Sequence, residues 1–275
     1  MQTITAGGAN IPALGFGTWQ LDGPDARRMV EAALRIGYRH IDTAFIYRNE
    51  AEVGEAIRAS GLPRDDIFLT TKIWTDSFAD GDLQRAAEGS VERIGVGPVD
   101  LLLLHWPKSS PPLEETIRAL NDARSRGLTR HIGLSNFPSA QWEEAQRLSD
   151  APLVTNQVEH HPYLTVNRVK ETARKLGSSV TAWSPLAQGK IADDAVLKEI
   201  ATAHGKTPGQ VTLRWLVQND VIAIPRTTKE TRAQENFDIW DFELTPDQMS
   251  RIDALGSGQG RIGDWLDPAF SWDAD

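Results

Sequence analysis

The 275-residue chain carries a formal net charge of −9, with 40% hydrophobic and 24% charged residues, which suits a globular protein and argues against nucleic acid or an anionic membrane as partner, since both need a basic footprint. It contains no cysteine, so disulfides and thiolate metal sites are excluded, and no apolar run approaches the roughly 20 residues of a membrane span. The first residues show no basic segment leading into an apolar core, and the expectation is a cytoplasmic monomer acting on a small molecule.

In chain order, residues 4–11 read as a small hairpin, with Gly7 and Gly8 supplying the turn, that acts as a plug or cap. A strand-then-helix unit then recurs, with strands expected near 14–18, 39–43, 68–72, 100–105, 132–135, 154–157, 180–183 and 221–225. Helices near 24–36 and 50–60 show the pattern most clearly, each with one apolar face. The strands are short and rich in Ile, Val and Leu, as strands buried on both faces are. Thr207-Pro208 and Thr245-Pro246 are cap-then-proline helix starts, and Gly61, Gly127 and Gly177 are stops. Eight such units predict one (β/α)8 TIM barrel domain over residues 1–275, with the hairpin at its base and a short tail after the last helix. An open doubly wound sheet is the alternative; no G-x-G-x-x-G follows any strand, and Gly256-Ser257-Gly258-Gln259-Gly260 lies in the tail.

Several strands end in an ionisable residue that their apolar character does not explain: Asp42, Lys72 and His105, with Tyr47 one loop after the first. In a barrel, C-terminal strand ends converge on one mouth, so these four would meet. A phenol is a poor acid at neutral pH; a nearby ammonium favours its phenolate and a carboxylate holds that ammonium, while a histidine can donate to a substrate carbonyl. A lone Asp, Lys or His at a strand end is more often a salt-bridged or capping residue than a catalyst; all four at matching ends predict a proton donor aimed at a carbonyl oxygen.

The hydride for such a reduction must come from a cofactor. The stretch 225–236 runs a strand end into a helix start, offers Thr227 and Thr228 hydroxyls and backbone N–H groups, and clusters Arg226, Lys229 and Arg232 in an acidic chain, which suits a phosphate. Arg232, Glu235 and Asn236 share one helix face. Ser135, Asn136 and Gln157 suit a carboxamide, and Trp183 offers a flat face for stacking, though each equally suits local capping or barrel packing. Trp19, Trp74 and Trp106 fall at three strand ends, where they would wall a pocket, with core filling as the competing reading. His160-His161 is not expected to bind metal, because adjacent residues diverge and no third ligand is spaced nearby, and Asp193-Asp194 reads as a helix start.

Taken together, residues 37–44 with Tyr47, Thr71-Lys72-Ile73-Trp74, residues 100–107, Gly133-Leu134-Ser135-Asn136-Phe137 and Asn156-Gln157-Val158-Glu159 resemble the aldo-keto reductase family over nearly the whole chain. Residues 182–190 and 235–242 look most like its bacterial 2,5-diketo-D-gluconic acid reductase group. The resemblance implies a (β/α)8 barrel with Tyr47 as general acid, tuned by Lys72 and Asp42, and His105 orienting the carbonyl. It implies NADPH lying across the mouth, contacted by Thr18, Trp19, Asp42, Ser135, Asn136, Gln157, Trp183, Ser184, Leu186 and Gln188. Arg226, Thr227 and Arg232 would hold the 2′-phosphate, with Glu235 and Asn236 on the adenine and Thr228 also on the cofactor. Arg226-Thr227 stands where the family usually has Lys-Ser, so NADH remains the alternative cofactor. Substrate would meet Trp19, Tyr47, Trp74, His105 and Trp106. The short tail and the short loop after Pro107 predict a shallow mouth for small aldehydes, α-dicarbonyls and sugar-derived keto acids. Two rival readings are a non-catalytic NADPH-binding redox sensor and a Schiff-base aldolase using Lys72.

Overall fold

The computed structural model describes residues 2–256 and 260–274. A hairpin of β1 (Thr3–Ala6) and β2 (Ala9–Pro12) opens the chain, paired antiparallel through a Gly7-Gly8 turn in which both glycines have positive φ. Eight parallel strands come next: β3 (Phe16–Gly17), β4 (His40–Asp42), β5 (Phe68–Ile73), β6 (Val99–Leu104), β7 (Thr129–Ser135), β8 (Leu153–Glu159), β9 (Ser179–Trp183) and β10 (Val221–Ala223). Each pairs with the next in sequence order, and a bridge between Leu14 and Ala223, with Gly15 N–H donating to Ala223 O at 2.8 Å, joins last to first. The eight expected strands are therefore present and curl into a barrel. The outer strands are shorter than the sequence suggested: β3 keeps two residues of 14–18, because at the seam the remaining backbone hydrogen bonds run as single bridges.

Among the described residues ten α-helices surround the strands, and the first shows why they sit there. In α1 (Gly23–Ile36) the buried residues Ala26, Met29, Val30, Ala33 and Leu34 repeat at helical spacing and face the sheet. The expected starts at Thr207 and Thr245 are capping boxes, in which each threonine accepts from the N–H of Gln210 or Gln248 and that glutamine's side chain accepts from the threonine N–H. They open α8 (Pro208–Gln218) and α10 (Pro246–Asp253), and Asp194 caps α7 (Ala195–His204) by accepting from Leu197 N–H at 3.0 Å.

Strand period two sorts the side chains into layers. Ile41, Leu69, Ile73, Leu102 and Leu104 point outward into the large core under the helices. On the inward side, Phe68, Leu101, Leu103, Val154 and Ile222 pack on Ala9 and Ile11 of the hairpin, which closes the barrel floor. The same alternation carries upward: His40 then Asp42 on β4, Phe68 then Thr70 and Lys72 on β5, and Leu101, Leu103 and His105 along β6 and its end. The floor is apolar and the top layer ionisable. Among the described residues, no helix is long and apolar enough to cross a membrane.

Candidate active site

Register and alternation bring three of the four expected groups into that top layer, and a short 3-10 turn (Phe45–Tyr47) after β4 supplies the fourth. Lys72 Nζ donates to Asp42 Oδ1 at 2.6 Å and to Thr43 O at 2.9 Å, and lies 3.4 Å from the Tyr47 hydroxyl. The His105 ring meets Tyr47 edge-on at 5.7 Å between centroids, and Trp74 meets His105 in the same manner at 5.2 Å. Lys72 and Asp42 are fully desolvated. Burial pulls the Lys72 pKa down, but Asp42 and Tyr47 outweigh it and leave it above its ordinary value, so the ammonium persists at neutral pH. Burial likewise holds His105 well below the usual imidazole range, reinforced by Lys72, so His105 is a neutral ring.

Tyr47 behaves differently from the expectation that Lys72 would lower its pKa. Burial raises it, and the ammonium offsets this only in part, so the net shift is upward. The resting phenol is firmly protonated.

Neighbouring polar groups brace this arrangement. Gln157 Nε2 donates to the second Asp42 oxygen at 2.8 Å, a contact between residues 115 apart that no local pattern announced. Asn136, at φ 64°, donates to His105 O at 3.0 Å and accepts from Trp183 Nε1 at 2.8 Å, so it fixes the Trp183 indole. Ser135 Oγ donates to Gln157 O at 2.8 Å. Thr18 donates to Asp42 O at 3.0 Å. Asn49, not anticipated from sequence, is buried and ties the loop after β4 to Thr18 O and Leu21 O. Ser184, Ala187 and Gln188 all have positive φ in the loop that follows Trp183 and contains Leu186, the kind of backbone strain that concentrates at binding sites.

Residues 225–236 run from β10 into α9 (Glu230–Phe237). Thr227 Oγ1 accepts from Lys229 N–H at 3.1 Å, and Thr228 is exposed beside it. Arg232 is exposed, within 4.0 Å of Glu235, whose other oxygen accepts from Thr207 Oγ1. Asn236 is 1% exposed, and its Oδ1 has no hydrogen-bond partner among the described residues. Arg226, though exposed, lies along the segment after β3: its guanidinium donates to Trp19 O at 2.8 Å and Gln20 O at 2.9 Å. Arg28 of α1 also reaches this loop, donating to Thr228 O at 3.1 Å, a cation that sequence spacing gave no reason to include.

The three tryptophans expected at the mouth differ in exposure. Trp19 is exposed and Trp74 half-buried, but Trp106 is only 4% exposed, because the C-terminal tail folds back over it with Trp265 and Trp272 packed edge-on against its ring. Trp265 itself is 61% exposed beside it. The Gly256–Gly260 run lies partly outside the described residues. Adjacent His160 and His161 diverge: His160 Nδ1 meets Leu164 O and tilts on Trp215, whereas His161 pairs with Glu159. Among the described residues, no group of side chains is arranged to hold a metal.

A barrel with this top layer defines a carbonyl oxidoreductase class, and comparison with known proteins agrees. The profile of the Aldo/keto reductase family matches residues 13–257. The glyoxal reductase of Bacillus subtilis strain 168 is 40% identical over 257 residues, covering 93% of this chain and 92% of that protein. A crystal structure of a candidate 2,5-diketo-D-gluconic acid reductase B superposes with a TM-score of 0.97 at 51% identity, covering 100% of this chain and 98% of that one. The Bombyx mori aldo-keto reductase in complex with NADP superposes with a TM-score of 0.89 at 32% identity, covering 96% of each chain. The chain belongs to the aldo/keto reductase family. It is an oxidoreductase and its cofactor is NADP(H).

The residues present fit that cofactor. Trp183 offers a half-buried face held in place by Asn136, and the unpartnered Oδ1 of Asn236 is a buried acceptor suited to an exocyclic amino group.

Proposed function

We propose that the chain uses NADPH to reduce small aldehydes, α-dicarbonyls and sugar-derived keto acids to alcohols, with Tyr47 as proton donor. The observation that carries this reading is the contact of Lys72 with both Asp42 and Tyr47 beneath a neutral His105. When bound, the reduced nicotinamide supplies the hydride to the carbonyl carbon. The neutral His105 donates a hydrogen bond to the carbonyl oxygen and orients it. Tyr47 gives its proton to that oxygen, and the phenolate left behind is stabilised by Lys72. Because burial keeps the phenol protonated at rest, the Lys72 charge acts mainly once phenolate develops, which is where stabilisation accelerates a reaction. Solvent then restores the proton. Trp183 would support the nicotinamide, with Ser135, Asn136 and Gln157 near its carboxamide. Ser184, Leu186 and Gln188 would line the strained loop above the cofactor. The raised pKa of Lys72 disfavours its use as an amine nucleophile and so weighs against the aldolase reading.

A substrate panel tests the class. Methylglyoxal and 2,5-diketo-D-gluconate should be reduced with higher kcat/KM than a steroid ketone; the reverse order would defeat the small-substrate reading.

For the cofactor, Arg226→Ala should weaken NADPH at least about tenfold more than NADH, since only NADPH has the 2′-phosphate that a guanidinium can fork. The contact with Trp19 and Gln20 carbonyls must then be exchanged for phosphate on binding. Equal losses for the two nucleotides, read by fluorescence titration, would limit Arg226 to bracing that loop.

A further inference from the structure

Glu159, the last residue of β8, is fully buried and stands at the barrel mouth, yet it takes no part in the proton-donor assembly. One carboxylate oxygen accepts from Ile262 N–H at 2.6 Å and from His161 Nε2 at 3.0 Å; the other accepts from Gly263 N–H at 2.9 Å. His161 Nδ1 accepts from Tyr163 N–H at 3.3 Å, which places the ring proton on Nε2, facing Glu159. Beyond this clasp the tail reaches the working parts of the mouth. Gly263 lies so close to Trp183 and Trp265 that a Cβ added there would stand 2.8 Å from each indole. Trp265 and Trp272 cover Trp106, and Arg261 stacks 3.6 Å above Trp272. Asp267 accepts from Ser109 N–H and Oγ, and Asp273 does the same at Ser139, the first residue of α5 (Ser139–Leu148).

We infer that Glu159 is a positioning residue that clasps the C-terminal tail onto the barrel, setting the Trp265 rim and the Gly263 contact that backs Trp183, and through them substrate affinity. Bidentate acceptance from two consecutive backbone N–H groups needs two acceptor oxygens. A carboxamide would turn an N–H toward one of them, donor against donor. The effect on substrate rests on the proposed carbonyl reduction; the clasp itself does not.

The test uses Glu159→Gln in the full chain with two readouts. Trypsin cuts after Arg261, at the peptide bond whose N–H Glu159 holds. Release of residues 262–275, followed by mass, should be about tenfold or more faster in the variant, the scale of losing a charge-assisted hydrogen bond. KM for methylglyoxal should rise by about tenfold while kcat stays within about threefold, because the tail binds substrate without joining the chemistry. Gly263→Ala, which leaves the clasp in place but crowds Trp183 and Trp265, should raise KM likewise and change the quenching of tryptophan fluorescence by NADPH; it keeps the proposal testable if Glu159→Gln does not fold. Unchanged cleavage at Arg261 in a folded Glu159→Gln protein, or an unchanged KM in Gly263→Ala, would overturn the inference. A wild-type protein without carbonyl reductase activity would instead defeat the proposed function and leave the cleavage result standing.

Discussion

Replacing Tyr47 by phenylalanine should lower carbonyl reduction by about 10²–10⁴-fold, the usual scale of general acid catalysis, while leaving NADPH affinity nearly unchanged. The hydroxyl is the group nearest to Lys72 that can release a proton at the mouth, and His105, held neutral by burial, has none to spare without turning anionic. Phenylalanine keeps the ring contact with His105, so the pocket should retain its shape. The measurement is kcat under saturating NADPH, paired with a fluorescence titration of cofactor binding. Turnover within a few-fold of wild type would sink Tyr47 as the donor and turn attention to water or another side chain.

Lys72→Met should lose both activity and stability. Methionine fills much of the lysine's volume, but Asp42 is left as a buried carboxylate with Gln157 as its remaining side-chain donor, and Thr43 O loses its donor. Breaking a buried ion pair by removing one partner costs about 3–5 kcal/mol. The rate should fall by about 10² or more, because the Tyr47 phenolate forms without its counter-charge. Adding Asp42→Asn should recover much of the stability, since no unpaired charge remains, and none of the activity. Denaturant midpoints and kcat separate the two effects. Activity returning together with stability in the double variant would show that Lys72 serves the fold alone.

The barrel was legible because its signals are local. Apolar strands such as Val99–Leu104 and amphipathic helices such as Gly23–Ile36 write their burial into periods of two and 3.6. Asp42, Lys72 and His105 stood out for the same reason: each is an ionisable residue in or at the end of an apolar run, and the family resemblance then gathered them with Tyr47. The features that escaped the sequence depend on contacts between distant segments. Gln157 meeting Asp42, Arg226 folding onto Trp19 and Gln20, and Arg28 reaching Thr228 leave no periodic trace. The tail is the clearest case. Its described residues form no regular element, so nothing in its spacing told that Trp265 and Trp272 would roof Trp106. The sign of the Tyr47 shift escaped as well, because it is a contest between desolvation and Lys72 that only the depth of the site decides.

The Glu159 clasp touches only peptide groups of the tail, the N–H of Ile262 and of Gly263. It is therefore blind to the side chains mounted beyond it, and acts as a socket whose requirements are two successive amides and a residue at 263 without a Cβ. Further along, side chains take over the seating, with Asp267 on Ser109, Asp273 on Ser139, and Trp265 and Trp272 on Trp106. Through Gly263 that seating reaches Trp183, so the tail and the face offered to the cofactor share one contact.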